Sequence, residues 1–278
     1  MACIIDKFSD DESDLELSTS TLDALKSFYA ERDARAEQFA KLQAEAEERH
    51  TLNVKLSMDA FTEDWNESQF WYSDETATFL AKQLLDGATA TTSIAVVSAP
   101  SVFVQLKNLL NSDAYKDKPK PKLTLLEHDN RFAVFTDEFV FYDFAQPLKL
   151  PSHLKGAFDR VIVDPPFLSE DCQTKAALTV RWMLKSSSKE EGGGEPRIIA
   201  CTGERMETLV TEKLYRSYGL RTTTFEPQHA RGLSNEFYCY ANFEVKPEEG
   251  AGVETPDGKG WTLRELGWKE KEGFATAA

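Results

Sequence analysis

Four consecutive residues, Asp164-Pro165-Pro166-Phe167, place a carboxylate, two prolines and an aromatic ring directly after the apolar run at 158–163. Neither proline donates a backbone hydrogen bond and the first holds Asp164 extended, so a strand here must end with its last polar groups projecting past the sheet edge. A carboxylate oxygen of Asp164 and the carbonyl of Pro165 are acceptors with no donor of their own. Beside the flat ring of Phe167 they suit an incoming amino group, held by hydrogen bonds and by stacking or cation–π contact. A strand followed by an ordinary Pro-Pro turn reads the same way, and the rest of the chain has to decide.

Three other strand-length runs also end in polar residues, at Ser98, Glu127 and Asp143. If the strands are parallel neighbours, these ends converge on one edge of the sheet, where open α/β folds bind nucleosides. An acid after the second strand can take both ribose hydroxyls, and one after the third can accept from an exocyclic amine. Glu127 directly follows its apolar run and is the better ribose candidate, with Asp129 second. Each acid singly reads more readily as a solvated strand end; their order together points to a nucleoside site. The loop after the first strand, Ser98-Ala99-Pro100-Ser101, lacks the glycines of a G-x-G turn and excludes a phosphate-binding P-loop. Pro100 can still open a helix, whose N-terminus with the hydroxyls of Ser98 and Ser101 could hold a carboxylate.

The elements that would position these residues alternate strand and helix, which predicts a parallel sheet covered on both faces. Strands are expected at 93–97, 123–126, 139–142, 158–163 and 197–201, and helices at 102–110, 169–184 and 204–215. Residues 220–225 are rich in strand formers. Residues 236–243 alternate, with Phe237, Cys239, Ala241 and Phe243 on one side and Tyr238, Tyr240 and Asn242 on the other. That pattern predicts a half-buried last strand, antiparallel to the sixth. Upstream, Ser73 caps a helix over 74–85 with Asp74 and Glu75 in its first turn. The preceding Phe70-Trp71-Tyr72 cannot all face a core, so at least one ring lines a surface or pocket. The strip either closes over a bound cofactor or staples the helix to the sheet.

The chain divides by composition into an acidic leader (1–19), a helical extension (20–60), the α/β domain (61–246) and a Gly- and Glu-rich tail (247–278). In the tail, Trp261, Leu263, Leu266 and Trp268 could dock a short piece back onto the domain. A net charge of −15 over 278 residues opposes a polyanion partner. Cys3, Cys172, Cys201 and Cys239 are widely separated and form no CxxC pair, and His50, His128, His153 and His229 are scattered, so no metal site is expected. Reduced thiols, no apolar leader and no membrane-length run predict a soluble cytoplasmic protein.

Taken with Gln69-Phe70-Trp71-Tyr72-Ser73, Leu126-Glu127-His128-Asp129-Asn130-Arg131-Phe132 and Asn235-Glu236-Phe237-Tyr238-Cys239-Tyr240, the Ser98 loop and the Asp164 tetrapeptide occur in a specific order. Over roughly residues 20–245 the chain resembles the class I S-adenosylmethionine-dependent protein-lysine N-methyltransferases acting on translation elongation factor 1-alpha. That family was formerly labelled putative N6-adenine DNA methyltransferases. The resemblance implies a Rossmann-like seven-stranded methyltransferase fold, mostly parallel with an antiparallel last strand, plus an N-terminal helical extension. It further implies that Trp71, Tyr72, Ser73, Ser98, Ser101, Glu127, Asp143 and Phe144 line an S-adenosyl-L-methionine pocket, and that Asp164, Pro165, Pro166 and Phe167 receive the target amine of a protein substrate. Two alternatives remain at this point: an N6-adenine nucleic-acid methyltransferase, against which the acidic balance speaks, and a catalytically silent binding subunit.

Overall fold

Runs of aliphatic residues buried on both sides make the centre of the sheet in the computed structural model, which describes Lys26, residues 56–58, Phe61, and residues 69–186, 195–232, 236–245 and 260–264. Two compact units divide the chain, Met1–Glu45 and Ala46–Ala278. In the first, Lys26 is helical and exposed. The acidic leader, the rest of the long helix expected over 20–50, residues 187–194, Leu266 and Trp268 lie outside the described residues.

The second unit carries strands β1 (Ser93–Val97), β2 (Lys122–Glu127), β3 (Phe139–Phe141), β4 (Arg160–Val163), β5 (Arg197–Gly203), β6 (Arg221–Thr222) and β7 (Phe237–Ala241). Their order is β3-β2-β1-β4-β5-β7-β6. The contacts from β3 through β5 are parallel, and β7 is antiparallel to both β5 and β6. The expected Rossmann-like sheet of seven strands with an antiparallel last strand is therefore present.

Helices α1 (Asp74–Leu85) and α2 (Pro100–Leu110) cover one face, where Leu80, Leu84, Val102, Phe103 and Leu106 pack against Ile94, Val96, Leu125, Ile162 and Ile199. Helix α3 (Glu170–Met183) covers the other, where Ala176, Ala177, Val180 and Met183 meet Ala95, Val97, Leu126, Val161 and Val163. Alternate residues of each strand thus feed two different cores. The caps follow the sequence: Ser73 Oγ accepts from Thr76 N at 3.2 Å, and Ser169 Oγ accepts from Cys172 N at 3.3 Å.

Two expectations are corrected. The helix read over 204–215 is a 3-10 turn, Glu204–Met206, followed by a π-helix, Leu209–Leu214. Tyr215 N reaches back five residues to Val210 O at 2.9 Å, and the wider turn buries Val210, Leu214 and Tyr215 together. The alternation at the last strand is real but does not mean half-burial. Both faces of β7 are covered: Cys239 and Ala241 fill one core while Tyr238 and Tyr240 fill the other.

Trp261 is fully buried among Phe79, Phe225 and Phe243, with Nε1 donating to Phe243 O at 2.7 Å, so this part of the tail does dock. Thr223 and Leu263 form an antiparallel bridge beside it. Among the described residues no helix is long and apolar enough to cross a membrane.

Register positions the site. Val97 pairs with Leu126 on one side and Val163 on the other, so Ser98, Glu127 and Asp164 are the next residues along three adjacent strands. Ser98 N still donates to Leu126 O at 2.9 Å, and Asp164 N to Val97 O at 3.0 Å. Ser98 then turns the chain into α2 with φ of 54°, a left-handed conformation that glycine would adopt without strain. The missing glycine is thus replaced by a serine carrying glycine's backbone geometry. Ser98→Val is expected to cost about 2 kcal/mol in urea unfolding, because a β-branched residue is strained at positive φ, whereas Ser98→Gly should be neutral or slightly stabilising.

Candidate active site

A cavity of about 800 Å³ opens at the carboxyl ends of the parallel strands. Its wall includes the acids at the ends of β2 and β4, Ser98 between them, and the whole tetrapeptide Asp164 to Phe167. Asp164 is partly buried and lines this cavity. Poor solvation raises its carboxyl to about 8, with Glu127 adding like-charge repulsion and a hydrogen bond from Tyr72 opposing both. That bond runs from Tyr72 Oη to Asp164 Oδ2 at 2.6 Å.

Glu127 is 6% exposed, and its Oε1 accepts from His128 N at 2.8 Å and Asp129 N at 3.2 Å. Among the described residues its second oxygen has no partner. Burial pushes this carboxyl up to about 7 despite the two backbone donors. Asp129 is used differently: Oδ1 takes Arg131 N at 2.9 Å, while Oδ2 takes Arg131 Nε at 2.8 Å and Gln69 Nε2 at 3.2 Å. It pins Gln69 and Arg131 together and does not line the cavity.

Asp143 and Phe144 follow β3 and line the same cavity. Donors from Gln146 Nε2 (3.0 Å) and Ala145 N (2.8 Å) hold the Asp143 carboxyl below its ordinary value. The Phe144 ring lies 5.5 Å from that of Phe167, and the two form an aromatic corner; Phe167 is 39% exposed at the rim.

The strip before α1 faces the cavity and is also tied to the core. Phe70 and Trp71 line the cavity, while Trp71 Nε1 donates to Phe61 O at 2.8 Å and fixes the strip to the core. The three remaining residues implied by resemblance do not reach the cavity wall. Tyr72 spends its hydroxyl on Asp164, Ser73 caps α1, and Ser101 is 2% exposed with Oγ facing Tyr72 N at 3.4 Å.

Several wall residues escaped the sequence reading. His229 and Phe237 face each other at 4.8 Å, and burial lowers His229 to about 4, so it is neutral near pH 7. Arg205 and Arg231 stand at the rim. Gln173, 3% exposed on α3, donates to Phe167 O at 3.1 Å and Thr202 Oγ1 at 2.9 Å, holding the tetrapeptide in place. Gly203 helps: a Cβ there would lie 2.9 Å from Leu168 Cδ1. Only the position of Gln173 one turn into the following helix could have signalled its role.

Residues 63–245 match the family described as probable N6-adenine methyltransferase. The protein-lysine N-methyltransferase EFM5 of Saccharomyces cerevisiae is 44% identical over 82% of this chain and 92% of its own length. EEF1A lysine methyltransferase 1 is 39% identical in Gallus gallus, over 84% of this chain and 97% of that protein. In Homo sapiens the figure is 37%, over 84% of this chain and 95% of that protein. The chain belongs to this methyltransferase family.

For a methyltransferase, two poorly solvated acids at the cavity wall are costly when nothing is bound. The folded protein holds their protons up to about 7 at Glu127 and about 8 at Asp164, whereas the unfolded chain releases them near 4. The native state therefore binds more protons between about pH 4 and 8, and stability falls as pH rises through that window. Glu127→Gln keeps an acceptor for both backbone donors and removes the titration. Calorimetry should show it stabilised by roughly 2–3 kcal/mol at pH 8 and little changed at pH 4.

Proposed function

We propose that this methyltransferase transfers a methyl group from S-adenosyl-L-methionine to a lysine side-chain amine of a protein, the expected substrate being translation elongation factor 1-alpha. The observation that carries the reading is Asp164-Pro165-Pro166-Phe167 opening into a cavity that also holds the buried Glu127 carboxyl, one oxygen of which has no partner among the described residues. A substrate of the translation machinery implies a cytoplasmic enzyme. The net charge of −15 disfavours the nucleic-acid substrate suggested by the family's description.

The residues fit the cofactor. A cavity of about 800 Å³ lies within the range of roughly 300–1,000 Å³ typical of ligand sites. The free oxygen of Glu127 is suited to a ribose diol, Asp143 to an exocyclic amine, and Trp71 and Phe144 to the flanks of a nucleoside. Ser98 lies between the two acids. When bound, S-adenosylmethionine supplies an electrophilic methyl group on a sulfonium.

The chain's own residues supply orientation and desolvation. At neutral pH only about one lysine amine in a thousand is uncharged and nucleophilic. The aromatic corner of Phe144 and Phe167 removes water from the amine and favours its neutral form. Asp164 Oδ1 and the Pro165 carbonyl accept its N–H groups, which aims the lone pair away from the protein. An ionised Asp164 also stabilises the positive charge that nitrogen acquires. A protonated Asp164 would direct an O–H at the lone pair and block it, so activity requires the ionised carboxyl. The surplus proton leaves to water.

Asp164→Ala is expected to lower kcat by at least about 100-fold with cofactor affinity retained in calorimetry. Near-normal turnover in that variant would refute the assignment. Incubation with tritiated cofactor and separate protein, DNA and RNA pools should label protein alone, with mass spectrometry locating the mark on lysine. Cofactor affinity should rise between pH 6 and 8 as Glu127 ionises, by up to about tenfold, and the rise should vanish in Glu127→Gln.

A further inference from the structure

We propose that Tyr72 is a positioning residue for the methyl acceptor site: its hydroxyl fixes the Asp164 carboxyl by Oδ2, so that Oδ1 alone is presented to the amine. The proposal rests on the reading of Asp164 as the amine acceptor and departs from the cofactor-lining role that resemblance gives Tyr72.

The geometry is specific. Tyr72 Oη lies 2.6 Å from Asp164 Oδ2, a short contact for a hydroxyl donating to a carboxyl. Tyr72 is 3% exposed, so its hydroxyl needs a buried partner, and the described structure gives it this carboxyl. Its ring is gripped by His229 at 5.0 Å and Phe237 at 6.3 Å. Its backbone is held by an antiparallel bridge to His229, extended by Ala230 N donating to Trp71 O at 2.8 Å and Ser73 N to Gln228 O at 2.8 Å. A side chain clamped this firmly allows the carboxyl it holds little rotation.

The strand register explains why this tyrosine reaches that acid. Asp164 follows Val163, whose side chain belongs to the α3 core, so Asp164 turns toward the face covered by α1 and the strip preceding it. Cys201 on β5 occupies the next position across the sheet and faces the same way. The titratable groups around the pair are Glu127 from β2, Cys172 from α3, Cys201 from β5 and His229 from the bridged segment. Cys172 and Cys201 are raised by burial and His229 is lowered, so near neutral pH these three carry no charge. Tyr72 is then the neighbour whose hydrogen bond favours the ionised form of Asp164, and Glu127 the one that opposes it.

The test is the pH profile of kcat/KM for methylation of elongation factor 1-alpha by the full chain. Tyr72→Phe keeps the ring and removes the donor. It should move the acid limb of the profile up by about one unit and lower kcat near pH 7.5 by about tenfold, with cofactor affinity within about threefold of the parent. A 3-fluorotyrosine at position 72, the same shape with a stronger donor, should move the limb down. A purely structural role predicts no displacement, or displacement in one direction for both variants, and either result overturns the proposal. Loss of cofactor binding in Tyr72→Phe also overturns it, returning Tyr72 to the cofactor pocket. If Asp164→Ala is inactive but the limb ignores Tyr72, only the role of Tyr72 falls. If Asp164→Ala stays active, the acceptor site itself was misread.

Discussion

Val97, paired with Leu126 on one flank and Val163 on the other, fixes the level at which three parallel strands stop. Everything at the cavity depends on that register. A shift by one residue would send Glu127 and Asp164 to the α3 face and bring Leu126 and Val163 to the cavity. The slip is opposed because it would carry the carboxylates of Glu127 and Asp164 into the apolar core beneath α3, where nothing would solvate them. The chemistry of the strand ends is thus held in place by the cost of burying its charges on the other face.

The second constraint is the poor hydration of these acids. Glu127 is 6% exposed with one oxygen unpartnered among the described residues, and it shares the cavity wall with Asp164. Both hold their protons unusually tightly. A ligand that donates hydrogen bonds to them relieves the cost, so part of the interaction energy with a nucleoside or an amine is stored in the fold beforehand. Backbone strain at Ser98 belongs to the same pattern, since positive φ in a non-glycine residue persists only where surrounding structure enforces it.

Much of this was legible in the sequence because it depends on local rules. Alternating strand and helix patterns gave the parallel sheet, Pro165 and Pro166 marked the end of β4, and Ser73 marked the start of α1. The polar ends Ser98, Glu127, Asp143 and Asp164 all reach one cavity, as does Phe144. What escaped depends on contacts distant in sequence. Tyr72 reaches Asp164 across 92 positions, and Gln173 reaches Thr202 across 29. His229 enters the wall from a segment with no periodicity to read, and the alternation that includes Phe237 does not say that its ring meets a cavity. The π-helix at Leu209–Leu214 was missed because its apolar spacing is close to that of an α-helix. Burial of β7 on both faces was missed because alternation cannot tell solvent from a second core.

The placement of β7 also bears on the birth of the protein at the ribosome. Strand β7 must enter between β5 and β6 after both have been synthesised, and Trp261 completes the core that Phe79 begins more than 180 positions earlier. The parallel half of the sheet, β1 to β5, precedes β7 in the chain, so the wall at His229 and Phe237 cannot form until β7 has been made. A nascent chain halted short of Phe237 would hold the acids of β2 and β4 without that wall. The acids of the cavity are therefore placed before the strand that faces them has been made.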